Sequence, residues 1–318
     1  VTIQINTDIR FDPELNKSVS GDASEYLVSP NGKLLALGIR GEVYVKEINK
    51  EKSSTNNVSD HAYRDMDVAW ASDSILLFAS DREDSNFDIY MVKSTDKKEL
   101  NIFKSLKHQI TRITKSAQDE SSLKVSPDGK KLAYMRGRGT LVVSDLTPDG
   151  KLSNEKVLLE GWATAGGIAW SPDSKWLAYS LSDLYFNQEI FIHAADNSAK
   201  PVNVSMHPRN DSQPYWSADG SKLGFISARN NRSNDVWFVW LKKEDWEKSR
   251  QDWDDFSGEE KPDKPAEKDK DKKEDKIKPV KIDFEDIHER LVQVTSFPGD
   301  ESNLIISKDG ETFFYTAT

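Results

Sequence analysis

The sequence predicts an all-β fold: a β-propeller of six to seven four-stranded blades. Three features carry that prediction. A hairpin motif recurs six times, its copies are spaced by about 40 to 55 residues, and short apolar strands follow each copy.

The motif is a short apolar strand, then Ser-Pro-Asp-Gly or a relative, then a second apolar strand. Its clearest copies are Leu123-Lys-Val-Ser-Pro-Asp-Gly-Lys-Lys-Leu-Ala-Tyr134 and Ile168-Ala-Trp-Ser-Pro-Asp-Ser-Lys-Trp-Leu-Ala-Tyr179. Weaker copies turn at Ser29-Pro-Asn-Gly32, Ala71-Ser-Asp-Ser74, Ser217-Ala-Asp-Gly220 and Ser307-Lys-Asp-Gly310. Proline presets the backbone for the first central turn position, and Asp, Asn and Gly tolerate the tight reversal. Third strands follow at Glu42–Val45, Asp88–Val92, Thr140–Val143, Glu189–Ile192 and Asp235–Val239. Fourth strands are read at Gln109–Ile113, Val157–Leu159 and Leu291–Val294. A regular turn at this spacing disfavours a two-sheet sandwich array, whose turns come every 8 to 12 residues or so.

Within a single domain spanning 1–318, blades are expected to start near 23, 64, 119, 164, 211 and 300. The last step is about double the others. Its excess coincides with the charged stretch 242–279, which can bury little and is expected to be a solvated, disordered insertion in the fifth blade. Glu244–Trp253 is expected to form a short helix at its start. The sixth unit stops after its second strand, and Val1-Thr-Ile-Gln-Ile5 is an orphan strand at the other end. The ring is therefore expected to be incomplete at its C-terminal end, and the chain is read as part of a longer protein.

Composition excludes several classes. A formal net charge of -10 argues against nucleic acid as a partner. No apolar run is long enough for a membrane-spanning helix. Cysteine is absent, which removes disulfides, thiolate metal sites and a Cys nucleophile, and leaves bacterial periplasm and cytoplasm both open. Gly-x-Ser-x-Gly, His-Glu-x-x-His, the P-loop and Gly-x-Gly-x-x-Gly are all missing, so no catalytic residue and no cofactor is expected.

The blades resemble TolB-type propeller repeats, whose Ser-Pro-Asp-Gly-Lys-x-Leu-Ala-Tyr pattern is matched at 126 to 134. More specifically, the chain resembles the second propeller of tricorn-type serine peptidases. The resembling segments are Ile39-Arg-Gly-Glu-Val-Tyr44, Ile168 to Ser180, and the charged insertion leading to Val280-Lys-Ile-Asp-Phe-Glu-Asp-Ile-His-Glu-Arg290. Val1-Thr-Ile-Gln-Ile-Asn-Thr-Asp8 opens the chain in similar style. The resemblance implies a non-catalytic module that gates or channels peptides and scaffolds a peptidase. Its implied partners are peptides or unfolded polypeptide, and PDZ and peptidase domains of the same longer chain. A homo-oligomer is compatible with that reading. The alternatives are a stand-alone TolB-type protein-binding propeller and the propeller of a prolyl-oligopeptidase-like hydrolase.

The first strands line a propeller's channel, so Asp67, Ser122, Gly166, Gly167 and Gln213 are the candidates for peptide passage. The repeated Asp73, Asp128, Asp173, Asp219 and Asp309 are read as turn residues binding backbone N–H groups, rather than as a calcium or acid ring. Asp81-Arg-Glu-Asp-Ser-Asn86 lacks the glycine and final glutamate of a calcium loop. The histidines share no ligand spacing, and His193 is read as packed or surface-exposed rather than as a metal ligand. Trp70, Trp170 and Trp216 occupy one place in three repeats and are assigned to the core between blades. Trp237 and Trp240 share a third strand, and one of them is expected to face a partner domain.

Overall fold

Five antiparallel four-stranded sheets and one two-stranded sheet follow one another along the chain. They are seen in a computed structural model that describes residues 21–48, 54–83, 85–230, 233–254 and 278–318. The first sheet holds β1 (Ala23–Val28), β2 (Leu34–Ile39), β3 (Glu42–Glu47) and β4 (Thr55–Asn57). The second holds β5 (Asp65–Ser72), β6 (Ile75–Ser80), β7 (Asp88–Ser94) and β8 (His108–Arg112). The third holds β9 (Glu120–Val125), β10 (Lys131–Arg136), β11 (Thr140–Leu146) and β12 (Leu152–Leu159). The fourth holds β13 (Gly166–Trp170), β14 (Trp176–Ser182), β15 (Gln188–Ala194) and β16 (Val202–Asn203). The fifth holds β17 (Asp211–Trp216), β18 (Lys222–Ser227), β19 (Asp235–Trp240) and β20 (Leu291–Gln293). The sixth pairs β21 (Glu301–Ile306) with β22 (Phe313–Ala317). Each sheet is a meander in chain order, and β1, β5, β9, β13, β17 and β21 touch in succession. That fan of adjacent first strands is the propeller expected from the repeat.

The recurrent turn is explained by two side chains. The Ser126 hydroxyl donates to Asp128 Oδ1 at 2.6 Å and accepts from the Lys131 N–H at 2.9 Å. Asp128 Oδ1 also accepts from the Lys130 N–H at 3.1 Å, so the motif satisfies the turn's own backbone. Burial opposes ionisation of Asp128, but these bonds outweigh it and hold the carboxyl below its ordinary value. The same serine–acceptor pair recurs at Ser171 and Asp173, at Ser307 and Asp309, and as Ser29 with Asn31. Gly129 closes the turn with φ of 69°, and Ser174 adopts 60° in the next copy.

The core lies between sheets. Five apolar clusters each join two consecutive sheets, from Ala36 and Val45 against Trp70 and Phe78 to Ile226 and Val236 against Leu304 and Ile306. A middle strand therefore packs on both faces, which is why β6 is apolar from Ile75 to Ala79 and buried throughout. The three tryptophans belong to these clusters and also bond across them. Trp70 Nε1 donates to the Leu27 carbonyl (3.0 Å), Trp170 to Lys124 (2.8 Å) and Trp216 to Ala169 (3.2 Å). A large apolar ring thus glues two sheets while its one polar atom is satisfied by the preceding sheet.

Trp237 and Trp240 of the fifth sheet's third strand are both half-buried. Trp237 packs into the cluster between the fourth and fifth sheets. Trp240 meets Phe238 edge-on, with the Lys222 ammonium 4.3 Å from its ring. Helix α1 (Lys243–Asp254) follows β19, one residue longer at each end than expected. The chain returns through a 3-10 turn at Ile287–Arg290, which the sequence reading missed. Buried Arg290 anchors that turn by donating to the carbonyls of Trp240, Glu285 and Asp283. The proposed strand at Val1–Ile5 and residues 255–277 of the charged stretch lie outside the described residues.

Trp170→Phe leaves the Lys124 carbonyl without its donor, and is expected to cost about 1 to 3 kcal/mol. Trp170→Ala also empties the cluster and is expected to cost about 3 to 5 kcal/mol. Urea midpoints for the two variants check this, and equal midpoints for both and the parent would contradict it.

Candidate functional site

Each first strand carries a β-bulge near its start, and the bulge turns one residue into the left-handed region. That residue is Asp67 (φ 56°), Ser122 (58°), Gly167 (60°), Gln213 (53°) and Asn303 (54°) in the second to sixth sheets. Such a conformation is costly for a residue with a Cβ, so something must hold it. Side chains of the neighbouring sheets do. Glu25 accepts from the N–H groups of Asp67 and Val68 at 2.9 and 3.0 Å. Asp67 in turn accepts from the Ser122 N–H at 2.8 Å, and Gln213 accepts from the Asn303 N–H at 2.9 Å. Gly167 lies where a Cβ would sit 2.9 Å from Pro214, so the fourth sheet needs glycine there. Four of the five channel candidates thus occupy equivalent places on the innermost strands; the fifth, Gly166, is the neighbour of Gly167. Glu25, which completes the series in the first sheet, escaped the sequence reading.

On the other side of this series from the strand ends, ion pairs brace the starts of the strands. Arg82 bonds Asp65 through both carboxylate oxygens at 2.9 and 3.0 Å, while its guanidinium lies 5.2 Å from the Phe78 ring centre and 5.1 Å from that of Tyr90. Arg229 repeats the arrangement with Asp211 (3.0 Å), over Phe225 and Trp237. Arg136 bridges Glu120 and Glu155. Burial raises the Asp211 carboxyl from its ordinary value even though Arg229 works against it. A cavity of about 700 Å³ opens beside these groups between the first two sheets, lined by Glu25, Arg40, Tyr63 and Arg64 among others. A second cavity, of about 340 Å³, is apolar and lies between first strands, among Leu27, Ala69, Leu123, Val125 and Ile168.

The loops that lead into the first strands and those joining second to third strands share one end of the sheets. This face is apolar at several points. Leu184, Tyr185 and Phe186 follow one another on the β14–β15 loop, with exposures of 79%, 84% and 73%. Phe186 meets Trp162 of the β12–β13 loop edge-on at 5.7 Å. Tyr63, Met206 and Phe297 lie exposed on other loops of the same end. The Leu184–Phe186 loop is built to hold its shape. Asp183 Oδ1 accepts from the N–H groups of Tyr185 (2.8 Å) and Asn187 (2.9 Å), and the Asp183 N–H bonds the Asn187 carbonyl. Phe186 itself has φ of 63°, a strained state for an aromatic residue. Three consecutive apolar side chains are thereby displayed to solvent by a hydrogen-bonded, strained loop. The sequence reading passed over them; the signal was Asp183 and Asn187 flanking an apolar triplet outside any strand.

His193 is buried between the Tyr179 hydroxyl and Asn197 Oδ1, each at 3.1 Å from a ring nitrogen, and desolvation lowers its pKa. Among the described residues no group of three or more His, Asp or Glu is placed to hold a metal ion, and no helix is long and apolar enough to cross a membrane.

Asp67→Ala removes the acceptor for Ser122 and is expected to lower stability by about 1 kcal/mol. Asp67→Asn keeps an acceptor and tolerates the left-handed backbone, so it should recover most of that loss. Thermal unfolding of the pair distinguishes them; identical melting curves for all three proteins would contradict the bonding scheme.

No protein-family model matches the chain, and no curated protein matches it. Solved structures do. The putative TolB from Agrobacterium tumefaciens superposes with a TM-score of 0.51 at 20% identity, covering 68% of this chain and 76% of that one. The tricorn protease superposes with a TM-score of 0.59 at 14% identity, covering 92% of this chain and 28% of that one. The chain therefore spans well under a third of the length of the tricorn protease. At these identities the likeness establishes the fold, and the chain is a β-propeller of the architecture seen in those two proteins.

Proposed function

We propose that this chain is a non-catalytic, polypeptide-binding propeller, and that it binds through the face carrying Trp162 and the Leu184–Phe186 loop. The observation that carries this reading is the loop itself. Exposed apolar triplets cost solubility, and a strained backbone that displays them costs stability. Both costs are accounted for if the loop docks into a partner, since large aromatics held rigid lose little entropy on binding.

The finer reading follows the sequence resemblance: the propeller belongs to a tricorn-type serine peptidase and passes peptides along its axis. Asp67, Ser122, Gly166, Gly167 and Gln213, with Glu25, would then form a polar mouth leading to the apolar cavity beneath. A polar rim above an apolar chamber suits an extended peptide, whose backbone needs hydrogen bonds while its side chains need burial. In that reading the hydrolytic groups would lie in other domains of a longer protein.

The binding reading is checked with a reduced, alkylated, unfolded polypeptide of known sequence, titrated by fluorescence anisotropy. The triple variant Leu184→Ser, Tyr185→Ser, Phe186→Ser is expected to bind at least about 30-fold more weakly, the loss of one strong anchor, with unchanged circular dichroism. Binding that is absent in the parent protein, or unchanged in the variant, would overturn it. Incubation of the chain with the same polypeptide is expected to yield no cleavage products.

A further inference from the structure

The seam between the fifth and sixth sheets repeats the seam between the second and third, with one difference. At the earlier seam two buried carboxylates meet: Asp88, which opens β7, and Glu120, which opens β9. Two arginines neutralise them. Arg112, opposite Tyr90 in the ladder, reaches Asp88 Oδ2 at 2.5 Å, and Arg136, opposite Glu120, reaches Glu120 Oε1 at 3.1 Å. Thr114 links the sheets by accepting from the Ile89 N–H and donating to Glu120 Oε2.

At the later seam the corresponding carboxylates are Asp235, opening β19, and Glu301, opening β21, exposed by only 3% and 2%. Thr295 takes the place of Thr114, accepting from the Val236 N–H at 2.8 Å and donating to Glu301 Oε2 at 3.0 Å. Both arginines are replaced. Gln293 stands opposite Trp237 where Arg112 stood, and Ala317 stands opposite Glu301 where Arg136 stood. Gln293 Nε2 donates to Asp235 Oδ2 at 3.2 Å. That leaves Asp235 Oδ1 and Glu301 Oε1 buried and without a hydrogen-bond donor.

We propose that Asp235 and Glu301 share one proton between Oδ1 and Oε1, and that this proton clamps the sixth sheet onto the fifth. Two buried acceptors left without a donor at one seam, where Thr295 bonds both the residue after Asp235 and Glu301 itself, are costly, and one proton satisfies both. The groups facing the pair offer no substitute among the described residues. From β20 and the loop after it come neutral Gln293 and Thr295. From the loop after β18 comes Arg229, which is committed to Asp211 and stacked over Trp237. Asp300, beside Glu301, is a further acid, bonded to the Asn234 N–H. Burial first, and the charge of Glu301 second, push the Asp235 carboxyl up from its ordinary value.

The consequence is a pH-dependent seam. Asp235 keeps a proton that a separated carboxyl releases, so the seam is fully closed below the ordinary carboxylate range and weakens as pH rises through the raised pKa of Asp235. Within that window its opening constant is expected to grow up to about tenfold per pH unit. The loop from Thr295 to Glu301 spans this seam and carries exposed Phe297 on the proposed binding face.

The test uses the full chain and two readouts. Infrared difference spectra are expected to show a protonated carboxyl band above the pH at which free carboxyls ionise, lost in both Glu301→Gln and Asp235→Asn. Hydrogen exchange, corrected for its intrinsic pH dependence, is expected to show peptides covering β19 to β21 opening more readily as pH rises. Gln293→Arg with Ala317→Arg restores the two arginines of the earlier seam and is expected to abolish that pH dependence while the fold persists. The proposal is overturned if the parent shows no such band, if the band survives both single variants, or if seam opening is independent of pH in the parent.

Discussion

The structure depends on one constraint: the innermost strands of adjacent sheets must lie side by side without forming a continuous sheet. A strand edge carries N–H groups that demand acceptors, and a neighbouring strand in full register would pair with them and flatten the fan. The bulge resolves this. At Asp67, Ser122, Gly167, Gln213 and Asn303 the chain turns through left-handed backbone. Side chains such as Glu25, Asp67 and Gln213 then take N–H groups from the next sheet. Sheets are joined by side-chain-to-backbone bonds instead of a ladder, and can splay around an axis.

Once the sheets splay, their faces must be filled. Wide aromatic rings do this at Trp70, Trp170 and Trp216, each spending its single donor on a carbonyl of the preceding sheet. Nearer the strand starts the filling is ionic. Asp65, Glu120 and Asp211 are buried with Arg82, Arg136 and Arg229, and the guanidiniums also cover aromatic rings. Buried ion pairs recover little net energy after desolvation, yet their geometry is strict, so they suit the setting of one sheet against another. The seam at Asp235 and Glu301 keeps the carboxylates and omits the arginines, which makes it chemically unlike its counterpart at Asp88 and Glu120.

Rigidity and display are separated in the molecule. The strands are fixed by burial on both faces, while the loops of one end carry apolar side chains that the core does not use. The β14–β15 loop spends four hydrogen bonds between Asp183 and Asn187 or Tyr185 on its own shape, and points Leu184, Tyr185 and Phe186 at solvent. A scaffold of packed sheets tolerates such a loop because none of the core's contacts run through it.

The repeat determined the fold class from the sequence alone. Ser-Pro-Asp-Gly is local chemistry, with Ser126 and Asp128 bonding residues two to five positions away, so the turn is written where it forms. The place of the three tryptophans was likewise legible, because one position repeated in three units implies one environment. Short edge strands such as Thr55–Asn57 and Val202–Asn203 were not, since so few residues carry no pattern of their own. Nor was the site. Glu25 reaches Asp67 across 42 residues, and Phe186 meets Trp162 across two strands and their loops. Asp235 and Glu301 share a seam where two arginines are missing, a lack visible only against the second and third sheets laid over it. Such relations arise between sheets, where distance in space is unconnected to distance along the chain, and only the tertiary structure decides them.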